Sequence, residues 1–292
     1  MRIRLLRDKA LVSEVLLGFV RVVSAYHRRH ARERGVVPWD VNRIDELVEA
    51  ARMRGVRPWL AIKERLAECA IEVMAVERRT VLQGGAALHF AYHSPRLSAD
   101  VDFVGSTAHA ALSERGEELA AHASAIVGAP ARWSMRIDGR LARGKVTIEL
   151  DAARRIVLPI EAFDVPAHEP NDDPRLGLVE QAGEIAADKI VASADRLARR
   201  GTLKTTDLFD LWFIQTRLAV AAPDINLVIL KRDEYGQPLR GADLGAAARA
   251  VSEAELRSTL DGVLPASDAS SIAPGDIISA AADWLGRYRD VL

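Results

Sequence analysis

Residues 81–104 read VLQGGAALHFAYHSPRLSADVDFV, and the fold of the chain is decided in this stretch. Its apolar opening ends at Gly84-Gly85, a helix-like segment follows from Ala86 to Tyr92, and Pro95 and Ser98 lead into Asp100-Val101-Asp102-Phe103. Alternation along a strand places Asp100 and Asp102 on one face, with Val101 and Phe103 on the opposite, core-facing one. Two carboxylates roughly 6–7 Å apart on a strand repel each other unless something positive sits between them. Hard divalent cations take oxygen ligands, and Mg2+ commonly combines one or two carboxylates with substrate phosphates. A glycine pair at a strand-to-helix turn lets backbone approach a ligand closely, and free helix N–H groups favour a phosphate. The stretch therefore reads as a site for a metal and a triphosphate.

The composition around it is that of an ordinary soluble domain. The chain has 292 residues, 49% hydrophobic and 28% charged, with a formal net charge of −1. That length allows a large core in one extended domain or two. Near-neutral charge excludes a molecule that binds nucleic acid by its overall field, so any RNA contact has to come from a local basic patch. Arginine-rich runs occur at Arg28 to Arg34 and Arg196 to Arg200. Each run, taken alone, reads as a solvated helix face. The single cysteine, Cys69, cannot form an internal disulfide and reads as a small buried hydrophobe, which points to the cytoplasm. No run approaches the roughly 18 apolar residues of a membrane helix. Arg2, Arg4 and Arg7 ahead of Ala10 to Val23 have a superficial likeness to a secretion signal, but Glu14 and Arg21 interrupt that apolar stretch.

Helical periodicity is expected at residues 8–34, 42–53 and 59–77 ahead of the glycine turn, and at 108–127 after the aspartates. Strands are expected at Trp133 to Ile137, Lys145 to Leu150 and Ile156 to Ile160, with Asp138-Gly139 as a turn. Pro170-Asn171-Asp172-Asp173-Pro174 is the best boundary, dividing the chain into 1–173 and 174–292. Beyond it the pattern is almost wholly helical, with Ile225 to Leu230 readable as strand or helix.

Gly84-Gly85-Ala86-Ala87-Leu88 followed by Pro95-Arg96-Leu97-Ser98-Ala99-Asp100-Val101-Asp102-Phe103 resembles the signature of the AbiEii/AbiGii toxin-type nucleotidyltransferases, a branch of the DNA polymerase β-like superfamily. The family pattern is GGTAL, a short tract, then PRFSEDLDF. This chain departs from it at Ala86, Leu97 and Ala99, and the first departure removes a hydroxyl from the phosphate side. Downstream, Glu184 to Ile190 is similar to the family's E-x-x-A-[DE]-K-[LI] helix. Lys204 to Leu211 is similar to its K-x-R-D-L-Y-D-L segment, with Thr206 where an arginine is usual.

The resemblance implies an α/β (α+β) protein, a polymerase β-like mixed sheet with flanking helices plus a mainly helical C-terminal domain that closes over the nucleotide. It implies two Mg2+ ions held by Asp100, Asp102 and a third carboxylate from a neighbouring strand, Glu149 with Asp151 in reserve. Lys189 would offset charge on the leaving pyrophosphate, as a flexible ammonium can. Only six of the 40 basic residues are lysine, so a lysine in a matched position is informative. Read without the family, Lys189 pairs with Glu184 or Asp188 on a solvated helix.

Asp207 is implied as an active-site or nucleotide-side residue that fixes Lys189 or a substrate hydroxyl, with Asp210 ranked below it. Gly84, Gly85 and Ser98 are expected at the triphosphate. Arg96 belongs to the same motif and can equally pair with a carboxylate. Leu208, Phe209, Leu211, Trp212 and Phe213 read as core packing rather than a base-stacking shelf. His89 and His93, four apart, could share a helix face as zinc ligands but read rather as structural or substrate-lining. The implied activity moves a nucleoside monophosphate from an NTP to an acceptor, often a tRNA 3′ end. The implied setting is a bacterial toxin–antitoxin or phage-defence system with a cognate antitoxin partner. The rival readings are nucleotidylation of a protein or small molecule, and a non-catalytic nucleotide-binding module.

Overall fold

The computed structural model describes residues 42–76, 78–150, 155–236 and 243–292. The helix expected at 8–34, the arginine run at 28–34 and the reserve ligand Asp151 lie outside these residues.

The sheet has seven strands: β1 (Val81–Gln83), β2 (Val101–Val104), β3 (Ala131–Asp138), β4 (Leu141–Glu149), β5 (Arg155–Phe163), β6 (Asn171–Asp173) and β7 (Gly177–Val179). Their order is β3-β4-β5-β2-β1-β7-β6. The sheet is mixed, because β2 runs parallel to β5 and β1 parallel to β7 while the remaining neighbours are antiparallel. Alternation decides the faces. On β5 Ile156, Leu158, Ile160 and Ala162 are buried, and on β4 Ala142, Val146 and Ile148 are buried, leaving the intervening side chains on the opposite face.

Helices α2 (Pro58–Ala75) and α4 (Ala108–Val127) cover the apolar face, and α1 (Asn42–Arg54) packs against these two helices. Leu66, Ile71 and Met74 of α2 and Leu112 and Leu119 of α4 are almost wholly buried there. Trp133 of β3 wedges between α4 and β4. A Cβ at Gly116 would fall 2.0 Å from its Nε1 and one at Gly144 2.1 Å from its Cη2, so both positions need glycine for the indole to fit.

The short helix α3 (Gly84–Phe90) leaves β1 directly. The C-terminal part is helical, as expected: α5 (Ala182–Arg200), α6 (Thr205–Thr216), α7 (Ile225–Glu234), α8 (Leu244–Arg249), α9 (Glu253–Leu260), α10 (Ala266–Ser271) and α11 (Pro274–Gly286). Ile225 to Leu230 is helix; Asp224 caps it by accepting from the Asn226 amide. The stretch read as a boundary is β6 itself and its turn, and β7 then pairs with β1. The helical part therefore begins at α5 rather than at residue 174. One hydrophobic core runs through both parts, from Ile71 and Leu82 to Phe209, Leu211 and Leu285.

Candidate active site

The site is built on the β1–α3 turn and the loop that enters β2. Gly84 has φ +68°, a conformation that side chains rarely adopt, and a Cβ there would come within 3.0 Å of Asp102 Oδ2. At Gly85 a Cβ would reach 2.5 Å from Arg96 Nη2 and 2.9 Å from Ser98 Oγ. The glycine pair thus lies directly against Asp102, Arg96 and Ser98, which brings together five residues expected to share the site.

Asp102 sits on β2 opposite Gln83 of β1 and beside Glu161 of β5. Burial pushes its carboxyl up to about 8, and the charges of Asp100 and then Glu161 add to that, against the pull of Lys204 and Lys189. Asp100 shifts the other way. Burial raises it, but Lys204, the hydrogen bond from Ser98 Oγ (2.9 Å), Arg96 and Lys189 together bring it below the usual carboxylate range. Ser98 thus donates to Asp100, not to open space.

Glu149 does not join this group. β5 lies between β4 and β2, and Glu149 stands at the far end of β4 opposite Arg155, paired with Arg132 and about half exposed. The β4 residue level with Glu161 is Arg143. Glu149 is six positions further on, roughly 20 Å along the strand. The carboxylate beside Asp102 is Glu161, whose Oε1 lies 3.2 Å from Arg143 Nε. The sequence signal was available: Glu161 is the one carboxylate inside the β5 run Ile156 to Phe163.

Lys189 projects from α5 toward α6. Its Nζ lies 3.0 Å from Asp207 Oδ1 and 2.6 Å from Asp210 Oδ2. Burial pulls the ammonium down, but Asp207 and then Asp210 outweigh it, so it stays protonated beyond the ordinary lysine range. Asp210, with no exposed surface, also accepts from Arg96 Nε and Nη2, both at 2.7 Å. Burial raises Asp210, yet Arg96 and Lys189 prevail and hold it low. Asp207 therefore fixes Lys189, while Arg96 takes the structural partner open to it.

Glu184 and Asp188 do not pair with Lys189. They face the other side of α5, where Lys231 of α7, fully buried, lies 2.5 Å from Glu184 Oε1, 3.0 Å from Glu180 Oε1 and 3.4 Å from Asp188 Oδ1. Residues four apart share a helix face, and the next residue is turned about 100° away. His89 has both ring nitrogens engaged, Nδ1 at 2.8 Å from the Ser94 carbonyl oxygen and Nε2 at 2.9 Å from Glu64 Oε1. His93, with φ +59°, lies beyond the end of α3, so it does not share a helix face with His89. Among the described residues no three His, Cys, Asp or Glu side chains are grouped so as to hold a metal ion. Leu208, Phe209, Leu211, Trp212 and Phe213 are all buried core, as expected.

Two cations that the sequence reading passed over or gave no role face the acidic pair. Lys204, at the N-cap of α6, is the largest favourable charge on Asp100 and also acts on Asp102. Lys63 of α2 donates from Nζ to the Ala99 carbonyl at 3.1 Å and feels the charge of Asp100. No helix among the described residues is long and apolar enough to cross a membrane.

Sheet, glycine turn and acidic pair are those of a nucleotidyltransferase-type α/β protein. The family described as nucleotidyl transferase AbiEii toxin, type IV toxin–antitoxin system, matches residues 66–274, and the chain belongs to that family. No curated protein matches it. Among solved structures it is similar to a candidate nucleotidyltransferase from H. pylori, with 18% identity, TM-score 0.49, and 78% of this chain and 95% of that one covered. It is also similar to JHP933 from Helicobacter pylori, with 17% identity, TM-score 0.46, and 80% and 95% covered.

Proposed function

We propose that this chain transfers a nucleoside monophosphate from an NTP to a tRNA 3′ end, with Mg2+, as the cytoplasmic toxin of a toxin–antitoxin pair active in phage defence. The antitoxin partner follows from the family description. The observation that supports the transferase reading is Asp102, set against the glycine turn with Asp100 and Glu161 near enough for their charges to raise its carboxyl. Their mutual repulsion is what a divalent cation relieves, and an all-oxygen donor set fits Mg2+. Asp100 and Glu161 engage Ser98 and Arg143, and both side chains would have to turn toward Asp102 to hold the ion.

Mg2+, when bound, supplies Lewis acidity to the acceptor hydroxyl and the α-phosphate. The chain's own residues do the rest. Gly84 and Gly85 let backbone N–H groups reach the triphosphate where any side chain would strike Asp102 or Arg96. Lys204 and Lys63 place positive charge where the pyrophosphate leaves. Lys189 acts through the field it adds at Asp100 and Asp102, and Asp207 and Asp210 hold it in place. The acceptor oxygen attacks the α-phosphorus in line with the departing pyrophosphate.

The test incubates each α-labelled NTP with total tRNA and, separately, with bulk protein, beside the Asp102→Ala variant. Label on tRNA that disappears in the variant supports the proposal. Label on protein alone moves the acceptor to polypeptide, and no transfer to either acceptor refutes catalysis.

A further inference from the structure

The only large aromatic side chain that stands well exposed among the described residues is Trp59, at 42%. A single exposed indole needs no explanation by itself. This one is placed unusually. It occupies the first turn of α2, after Pro58, and Lys63 on the next turn extends its ammonium over the ring at 5.4 Å from the centroid. The same ammonium donates to the Ala99 carbonyl at 3.1 Å, the peptide that leads into Asp100. One lysine head group thus separates the indole face from the peptide at the acidic pair. The aromatic residues expected downstream are buried, so none of them offers a face to a ligand.

We infer that Trp59 is a stacking platform for a nucleobase at the edge of the catalytic cleft, with Lys63 receiving a phosphate of the same nucleotide. Every base has a π-face, so an indole plus a cation favours nucleotides without selecting a sequence. The chemistry is shared by two sources, the base of the donor NTP and the terminal base of an RNA acceptor. The inference rests on the nucleotidyl-transfer reading and adds a base-binding residue to it.

The experiment compares wild type, Trp59→Ala and Trp59→Phe in binding three probes with Mg2+. These are inorganic tripolyphosphate, the α,β-methylene analogues of the four NTPs, which cannot be transferred, and a fluorescent single-stranded RNA oligonucleotide. Alanine is the best helix former and the site is exposed, so α2 persists. Expected is a loss of about 10-fold in affinity for the NTP analogues or for the RNA in Trp59→Ala, with Trp59→Phe within about 3-fold of wild type. Tripolyphosphate, which has no base, binds all three proteins equally. Loss confined to the analogues assigns the shelf to the donor base, and loss confined to RNA assigns it to the acceptor. Unchanged binding of both probes in Trp59→Ala overturns the inference while leaving the transferase intact. A parallel loss of tripolyphosphate affinity also overturns it, because a base-independent effect is not stacking. A wild-type protein that binds none of the three refutes the transferase reading and this shelf together.

Discussion

Asp210 accepts two hydrogen bonds from Arg96, Nε to Oδ1 and Nη2 to Oδ2, each 2.7 Å long, across 114 residues of sequence. Arg96 is 7% exposed and Asp210 not at all. The planar guanidinium suits this two-point contact, and Lys189 closes on the same carboxylate from α5.

Asp210→Ala leaves Arg96 without its buried partner and Lys189 with Asp207 alone. The expected cost is about 3–5 kcal/mol, read as a lower urea midpoint. Asp210 is held below the ordinary carboxylate value, so its contribution is complete above the unfolded value of about 4 and fades as pH falls through the lower folded one. In Asp210→Asn that acid-side loss is missing.

Asp102 behaves oppositely. With its carboxyl at about 8, the fold keeps a proton that the unfolded chain gives up near pH 4, so this residue lowers stability as pH rises between those values. In EDTA at pH 7–8, Asp102→Asn should be more stable than wild type by about 1 kcal/mol or more while showing no transfer. Added Mg2+ should raise the wild-type melting temperature and leave the variant's unchanged. Equal stability in EDTA would contradict the repulsion described here.

Glu161 and Glu149 should separate cleanly. Glu161→Gln, beside Asp102, is expected to slow transfer on the order of 100-fold. Glu149→Gln, at the far end of β4, should stay within about twofold. Single-turnover rates at saturating NTP check both.

Cys69 is buried, and burial, with Glu72 adding to it, pushes its thiol up to about 11. Thiolate is the reactive form, so the native protein at pH 8 should resist alkylation by iodoacetamide. Denaturant should restore stoichiometric labelling, as mass spectrometry would show. Rapid labelling of the folded protein would show the side chain to be accessible.

The glycine turn and the acidic pair were legible because local chemistry defines them: a strand-to-helix turn that tolerates no side chain, and carboxylates with period two. The burial of Phe209 and its neighbours, and most helix limits, followed from periodicity. The third carboxylate was not legible in the same way. β4 and β5 share one alternation, and which of them lies beside β2 depends on sheet order, a non-local property. Lys189 pairs with Asp207, one of the two roles open to that carboxylate, but the destination of Glu184 and Asp188 required a lysine on α7, more than 40 residues away. Trp59 and Lys63 gave no signal because they fall within an ordinary amphipathic helix. Only the fold turns that helix toward Asp100.

Asp210 also limits how substrates can arrive. Arg96 lies in the segment entering β2, and Lys189 and Asp210 lie on the helices of the other half. Swinging those helices outward would part Arg96 from Asp210, a buried pair, at a cost of several kcal/mol. The two halves are thus clamped together at the site itself, and nucleotide and acceptor have to be admitted without parting that link.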